Sequence, residues 1–324
     1  MTKLLQGICF FILFAQSSKA HQDTISLKQS IARRNNILNR SPESLGISKA
    51  VQARNARIAN LPVNIALFGV DIRSSDFEGN SDVIMIMSID IVTKKIKMSS
   101  ILRDTYVNIE GKGMDKINVA FAFGGPQLAV KTINENFEMD IKDYINVDFF
   151  SAAKIVDALG GVNINLNPNE LTYLNGYLKE ISIIDGIDWI PLAKPGFQIL
   201  SGKQAVAYTR IRAAGRGDYD RSERQRSLLV ALFSKMQGAG SSIFPVFLEQ
   251  ILPYLETNMD SRMLFSIGSN ILNSKTKTIE QARFPLDKHS KGERINAVWY
   301  LKTDLKATTN LLYNFIYRNI QPVK

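Results

Sequence analysis

The sequence predicts a three-layer α/β domain, in which helices cover both faces of a sheet. Short apolar runs of strand length alternate with longer helical patterns from Pro62 onward, and this alternation is typical of α/β domains. The composition agrees, because 45% of the 324 residues are hydrophobic and 22% are charged. Such a chain can bury a full core, and its length allows one large domain or two ordinary ones.

Apolar runs bounded by turn residues predict strands over Val63–Val70, Asp82–Asp90, Ile96–Leu102, Asp143–Val147 and Val162–Leu166. Helices are predicted from Pro126 to about Phe137, then over Asp148–Leu159, Ser201–Arg210 and Asp220–Gln237. Pro126 suits a first helical turn, Asp148 suits an N-cap, and the pair Gly160-Gly161 ends the second helix. Residues 167–196 contain Pro, Gly and Asn and are predicted to form a loop. From Ile243 onward the pattern is mostly helical, with a short strand near Ala282–Phe284.

The chain divides into four predicted parts. Residues 1–20 resemble a secretory signal, because a short basic start precedes an apolar run, and Ser18 and Ala20 are small residues suited to a cleavage site. Residues 21–61 carry seven basic and two acidic side chains and are predicted to be a basic linker. The folded domain is expected over 62–238, with a mainly helical part over 239–324 packed on it. We therefore expect an exported, extracytoplasmic protein; an uncleaved membrane anchor is the alternative.

Charge and rare residues limit the possible chemistry. The net charge of +10 favours anionic partners such as phosphates, acidic polymers, nucleic acid or a membrane surface. The chain has only two histidines and one cysteine, and that cysteine, Cys9, lies in the predicted signal. Histidine-dependent triads, zinc sites and cysteine nucleophiles are therefore not expected.

An arginine block is the most informative feature of the chain. Six arginines and no lysine fall between Tyr208 and Ser227. Arginine presents a planar fork of donors that matches two phosphate oxygens at once, so an arginine-only block favours a phosphate or diphosphate ligand over a general basic surface. A solvated basic helix face is the alternative.

Charged residues also cluster where predicted strands end. Asp71 follows one strand and Asp82 begins the next, so neighbouring strands would bring the two carboxylates together. Mg²⁺ prefers one or two carboxylates with phosphate oxygens, and the pair is predicted to hold it. Arg103-Asp104 follows a third strand, and Lys116-Ile-Asn118 comes soon after. Each cluster alone is a weak signal.

Together, these motifs resemble the LytR–CpsA–Psr family of cell-envelope proteins. The resemblance covers about Val63 to Met236. It rests on the ordered motifs Gly69-Val-Asp71-Ile-Arg73, Ser81-Asp82, Leu102-Arg-Asp-Thr-Tyr-Val107, Lys116-Ile-Asn118, Gly124-Gly-Pro126, Val156-Asp-Ala-Leu-Gly-Gly-Val162, Pro195–Arg210 and Gly217–Gln225.

The resemblance implies a mixed sheet between helices and an apolar groove for a polyprenyl chain. It also implies a phosphotransferase that moves a glycopolymer from a polyprenyl diphosphate carrier to an envelope acceptor such as peptidoglycan, with diphosphate hydrolysis as a further possible activity. The metal pair falls on Asp71 and Asp82, and catalytic roles on Asp82, Arg103 and Arg221. The expected diphosphate ligands are Arg73, Arg103, Lys116, Arg210, Arg212, Arg221, Arg224 and Gln225.

The chain departs from the family pattern at three positions. Asn80 stands where an arginine is usual, Leu102 where proline is usual, and Asp220 where glycine is common. The loss of one arginine could weaken diphosphate binding. A binding protein without turnover and a nucleic-acid-binding regulator are therefore alternative interpretations. The acidic pair argues against the first, and the export signal argues against nucleic acid as a partner.

Overall fold

The computed structural model describes residues 38–70, 79–185, 189–215, 217–272 and 279–323. The strands are β1 (Val63–Val70), β2 (Ser81–Ile89), β3 (Ile96–Ile101), β4 (Tyr106–Ile109), β5 (Gly113–Lys116), β6 (Asp143–Asp148), β7 (Val162–Leu166), β8 (Gly196–Leu200), β9 (Glu256–Thr257), β10 (Glu280–Phe284), β11 (Ser290–Ile295) and β12 (Val298–Thr303). The helices are α1 (Lys49–Asn55), α2 (Val119–Phe137), α3 (Phe149–Ala158), α4 (Pro168–Asp185), α5 (Gly202–Arg210), α6 (Asp218–Ala239), α7 (Ser261–Leu272) and α8 (Leu305–Arg318). Short helical turns fill residues 240–254 and 287–289.

A six-stranded mixed sheet forms the centre of the molecule, in the order β10-β3-β2-β1-β6-β9. Strand β1 pairs antiparallel with β2 and parallel with β6, while β3 pairs antiparallel with β2 and parallel with β10. The mixed sheet is therefore confirmed. The predicted strand Val162–Leu166 instead forms a separate antiparallel pair with β8.

Helices cover both faces of the sheet, which confirms the three layers. Successive residues of a strand point to opposite faces, and β1 shows this clearly: Ala66 and Phe68 belong to one core, whereas Ile65 belongs to the other. The first core contains α2 and α8, and the second is closed by α6 and α7. Pro126 follows a kink at Gly124 and Gly125, where the backbone leaves the helical conformation, so it begins a new helical turn as predicted.

The predicted linker over 21–61 is wrong for its second half. Residues 1–37 lie outside the described part of the chain, but Leu38, Leu45, Ile47 and Val51 are buried in the same core as α2. Helix α1 begins after Ser48, whose side chain accepts a hydrogen bond from the Val51 backbone N–H. A few well-spaced apolar side chains suffice here because the segment packs on an existing core rather than folding alone.

The predicted loop over 167–196 is also wrong, because most of it is helix α4. Two reciprocal hydrogen bonds start the helix: the Asn167 side chain accepts from the Glu170 backbone N–H at 2.8 Å, and the Glu170 carboxylate accepts from the Asn167 N–H at 3.0 Å. Pro168 occupies the first turn, where its missing N–H costs nothing. These residues were interpreted as loop formers, yet this spacing is that of a capping box.

The C-terminal part is less helical than predicted. Strand β10 lies over Glu280–Phe284, which includes the expected short strand, but β9 and the β11–β12 hairpin were not predicted. The turn of that hairpin is Asn296-Ala297, and both residues have positive φ values of 48° and 66°. Two-residue turns of this kind usually carry glycine, so the alanine weakens the sequence signal. Within the described residues, no helix is long and apolar enough to cross a membrane.

Candidate functional site

A pocket of about 420 Å³ lies where β2 begins, β3 ends and α6 starts. We call it the central pocket. The apolar part of the lining, called the apolar wall below, comes from Ile84, Met85, Ile101 and Leu102, which are at most 6% exposed. The remaining lining is mostly polar and charged, and it comes from Asp82, Ser100, Arg103, Asp104, Lys116, Asp218, Tyr219, Arg221, Ser222 and Gln225, with Trp299 and Leu301 from β12. Five of the predicted site residues thus come together: Asp82, Arg103, Lys116, Arg221 and Gln225.

Arg103 stands at the centre of the charged lining. Its Nη1 lies 2.6 Å from Asp82 Oδ1 and its Nη2 lies 3.3 Å from Asp218 Oδ2. Burial lowers the pKa of Arg103, but the charges of Asp82 and Asp218 outweigh burial, so the pKa is raised overall. Lys116 reaches the same group through Asp104, whose Oδ1 lies 2.7 Å from Lys116 Nζ.

Arg221 enters the pocket from the first turn of α6. Its Nη1 lies 3.5 Å from Asp82 Oδ2 and its Nε lies 3.2 Å from Asp218 Oδ1. Burial, and then the neighbouring charge of Arg103, lower the pKa of Arg221 to about 10. The guanidinium stays charged at neutral pH, but its surroundings disfavour that charge. An anion bound beside it would relieve this cost.

Arg212 joins the cluster from the loop between α5 and α6. Its Nη2 lies 3.8 Å from Asp82 Oδ2 and its Nε lies 3.7 Å from Asp218 Oδ1. The side chain is 48% exposed, so water screens its charge more than the charges of the buried arginines. Among the described residues, four cations (Arg103, Lys116, Arg212 and Arg221) meet three carboxylates (Asp82, Asp104 and Asp218), so the described part of the cluster is net positive.

Asp218 is a charged residue of the pocket that the sequence did not predict as a site residue. Arg103, Arg212 and Arg221 all pair with its carboxylate. Burial raises the pKa of Asp218, but Arg221 and Arg103 more than compensate, and the pKa falls below its usual range. The sequence signal that could have identified Asp218 was its place inside the arginine block, one residue after Gly217. Because the helix was predicted to start at Asp220, two residues too late, Asp218 was not recognised as part of its first turn.

Two predicted ligands lie elsewhere. Arg224 is buried away from the pocket: its Nε lies 2.8 Å from Glu170 Oε1, and its other nitrogens donate to the carbonyls of Ile211 and Ala214. The structure therefore does not bring Arg224 together with Arg103 and Arg221 on one anion. Its partner, Glu170, belongs to α4, the helix that was predicted to be a loop. Arg210 lies over the rings of Tyr177 and Phe149, at 5.6 and 6.0 Å.

Asp71 and Arg73 lie outside the described residues. The strands beside them are described: Val70, the residue before Asp71, pairs with Ser81, the residue before Asp82. In the described part of the chain, no group of three or more His, Cys, Asp or Glu residues could hold a metal ion. Of the predicted metal pair, the structure therefore describes Asp82 alone.

Comparison with known proteins places the chain in a family. The sequence model of the LytR_cpsA_psr family matches residues 15–315, which is most of the chain. The chain belongs to the LytR_cpsA_psr family. The match extends through β10, the β11–β12 hairpin and most of α8, so these C-terminal elements are part of the family's domain and not an addition to it.

Curated relatives and solved structures agree with the family assignment. A protein of Oceanobacillus iheyensis named polyisoprenyl-teichoic acid–peptidoglycan teichoic acid transferase TagU is 35% identical over 251 residues, covering 74% of this chain and 70% of that protein. The structure of TagT bound to LIIa-WTA matches with a TM-score of 0.63 and 25% identity, over 79% of this chain and 91% of TagT. The family protein YwtF (TagT) with bound octaprenyl pyrophosphate lipid shares the fold, with a TM-score of 0.59 and 24% identity over 79% and 90% of the two chains.

Proposed function

We propose that this LytR_cpsA_psr protein is a phosphotransferase. It moves a glycopolymer from a polyprenyl diphosphate carrier to a cell-envelope acceptor, such as peptidoglycan, outside the cytoplasm. The activity follows the name of the Oceanobacillus relative, which the chain matches over more than two thirds of its length. The observation that carries the proposal is the central pocket, where Arg103 and Arg221 lie beside an apolar wall.

The proposed reaction exchanges one phosphorus–oxygen bond for another. A hydroxyl of the acceptor attacks the phosphorus that bears the sugar, and the bond from that phosphorus to the bridging oxygen breaks. Polyprenyl phosphate leaves with the bridging oxygen, and the hydroxyl proton passes to a base. If water replaces the acceptor hydroxyl, the same site hydrolyses the diphosphate.

The chain's own residues act mainly by electrostatics in this reaction. Negative charge grows on the leaving phosphate, and charged donors held in place at that position stabilise the transition state. Arg103 and Arg221 supply two guanidinium forks, each with nitrogens able to turn from Asp82 or Asp218 toward phosphate oxygens. We assign the first prenyl unit to the side of the pocket where the apolar residues Ile84, Met85, Ile101 and Leu102 lie next to these charges.

We further propose that Mg²⁺ is the cofactor and that Asp71 and Asp82 hold it. The donors fit this ion: the pairing of Val70 with Ser81 supports a place for both aspartates at one edge of the sheet. Two carboxylates with phosphate oxygens form the hard oxygen set that Mg²⁺ prefers. Bound there, the ion would neutralise charge on the diphosphate.

Turnover by the purified full-length chain tests the proposal. The donor is a short-chain prenyl diphosphate that carries a glycopolymer, and the acceptor is peptidoglycan fragments. We expect release of prenyl phosphate together with a polymer–acceptor product of the combined mass, and loss of both when a chelator removes divalent cations or when Asp82 is changed to Asn. Arg262→Lys, a change of an exposed arginine on α7, is the matched control. Binding of the donor without any product would instead establish a binding protein.

A further inference from the structure

A large aromatic side chain in the central pocket has no role in the chemistry proposed above. Trp299 of β12 lines the same pocket as Arg103 and Lys116, yet 42% of its surface is exposed. Tryptophan is costly to leave in water, and exposed aromatics beside convergent polar groups mark binding surfaces.

The position of Trp299 is fixed relative to the phosphate-binding residues. Strand β12 is joined to the backbone next to Arg103, because the Leu301 N–H donates to the Asp104 carbonyl at 2.8 Å and Leu301 also bridges to Thr105. Side chains alternate along a strand, so Trp299 shares the pocket-facing side with the buried Leu301. Tyr300 points the other way and packs on Tyr106, with 4.8 Å between ring centroids.

The opposite strand of the hairpin leaves room for the indole. A Cβ atom added at Gly292 would lie 2.9 Å from Trp299 Cζ2 and 3.0 Å from its Nε1. Real Cβ atoms do not approach other atoms this closely, so any side chain at residue 292 would push the indole aside. The absence of a side chain at Gly292 thus lets the ring lie against the backbone of β11.

We propose that Trp299 forms a sugar-binding subsite, in which the indole stacks on the first sugar ring attached to the donor's diphosphate. The inference rests on the proposed function, because that sugar is covalently joined to the diphosphate held by Arg103 and Arg221. One face of a pyranose ring consists of C–H bonds that pack on an aromatic surface, and its hydroxyls need polar neighbours.

The surroundings of Trp299 fit a sugar better than a prenyl chain. The hairpin side of the pocket places the indole of Trp299 in the same lining as two charged groups, Lys116 and Asp104, whose Nζ and Oδ1 atoms lie 2.7 Å apart. A prenyl chain has no polar groups and suits the apolar wall of β2 and β3 instead. The donor would therefore bind in one orientation, with its lipid on the apolar side of the pocket formed by β2 and β3 and its sugar on the side formed by the β11–β12 hairpin.

Two ligands that differ by one sugar separate this role from phosphate binding. The first is a short-chain prenyl diphosphate, and the second is the same molecule carrying a single pyranose. Calorimetry should give Trp299→Ala and Gly292→Ala roughly tenfold weaker binding of the sugar-bearing ligand, as expected for loss of one central tryptophan contact. Binding of the bare diphosphate should be unchanged. Val298→Ala removes an exposed apolar side chain from the other side of β12 and should change neither affinity.

Fluorescence provides a direct readout of contact. The chain has two tryptophans, so Trp189→Phe leaves Trp299 as the only tryptophan, whose emission can be excited selectively over that of the tyrosines. The sugar-bearing ligand should change the Trp299 emission more than the bare diphosphate does. Equal losses for both ligands in the Trp299→Ala protein, or no loss for either, would overturn the sugar subsite. If the wild-type protein binds neither ligand, the proposed function itself is wrong and the subsite fails with it.

Discussion

Two arginines three residues apart on α6 differ in what surrounds them. Arg221 and Arg224 are equally buried, each with 5% of its surface exposed. Arg224 is fully paired: Glu170 lies against its Nε at 2.8 Å, and two backbone carbonyls accept from its other nitrogens. Arg221 shares Asp82 and Asp218 with Arg103 and Arg212, its ion pairs are longer, and burial lowers its pKa to about 10.

This comparison shows that the exposed fraction of an arginine does not tell whether it stabilises the fold or binds a ligand. The charges of Arg224 and Glu170 neutralise each other at close range. Arg224 also donates to two backbone carbonyls, and Glu170 accepts from the Asn167 N–H. The cluster around Arg221 contains more cations than carboxylates in the part of the chain that the structure describes, so an anion bound there would lower its electrostatic free energy. We therefore expect changes at Arg224 to alter folding and changes at Arg221 or Arg103 to alter turnover.

The largest effect is expected from Arg224→Met. Removing the guanidinium leaves the Glu170 carboxylate buried without its partner, which typically costs about 3–5 kcal/mol. Urea unfolding followed by circular dichroism measures the loss. Arg262→Met on the exposed surface of α7 is the control and should change stability by no more than about 0.5 kcal/mol.

The double variant Arg224→Met, Glu170→Leu sharpens this test. Because both charges are then gone, the double variant should be more stable than Arg224→Met alone. Some loss should remain, since Glu170 also accepts a hydrogen bond from the Asn167 N–H at the start of α4. A double variant that is less stable than both single variants would show that the pair is not the unit that holds α4 against α6.

The next effect concerns turnover after Arg103→Lys or Arg221→Lys. Lysine keeps the charge but loses the two-pronged donor geometry. We expect roughly 2–3 kcal/mol of lost transition-state stabilisation, or about 30- to 150-fold in kcat/KM. Thermal melting should barely change. Arg224→Lys is the comparison variant, for which the opposite result is expected: its melting temperature should fall, and its activity per folded molecule should stay unchanged. If the two sets of variants behave alike, the contrast between Arg221 and Arg224 is wrong.

The sequence revealed the central strands and five charged or polar residues of the pocket, because both depend on local patterns. The apolar runs of β1 to β3 and the charged residues at their ends, such as Asp82 and Arg103, are visible in the chain itself. The sequence did not show that Arg224 lies away from the pocket. It depends on Glu170, 54 residues away, on a helix that begins with residues usually found in loops.

Trp299 escaped prediction for a similar physical reason. It reaches the pocket only because β12 is hydrogen-bonded to the backbone at Asp104, a contact between segments about 200 residues apart. Its hairpin has a turn without glycine, and no local pattern marks it. Long-range pairing of this kind follows from the complete fold and not from a window of sequence.

The smallest effect, and the last test of the pocket cluster, is the acid dependence of stability at Asp218. Burial raises the pKa of this carboxyl, but Arg221 and Arg103 lower it further, so the folded pKa lies below the ordinary 3.8. A carboxyl with a lowered pKa stabilises the fold above its unfolded pKa, and this contribution disappears as the pH falls through the folded value.

The stability difference between the wild type and Asp218→Asn should therefore be constant from about pH 5 to pH 8 and shrink as the pH falls below about 4. Urea unfolding across this range measures it. Asp260→Asn, near the start of α7 and outside the arginine cluster, is the control. A difference that instead grows toward low pH would mean that the three arginines do not hold Asp218 in its charged form, and that the net positive cluster proposed to receive the diphosphate is wrongly described.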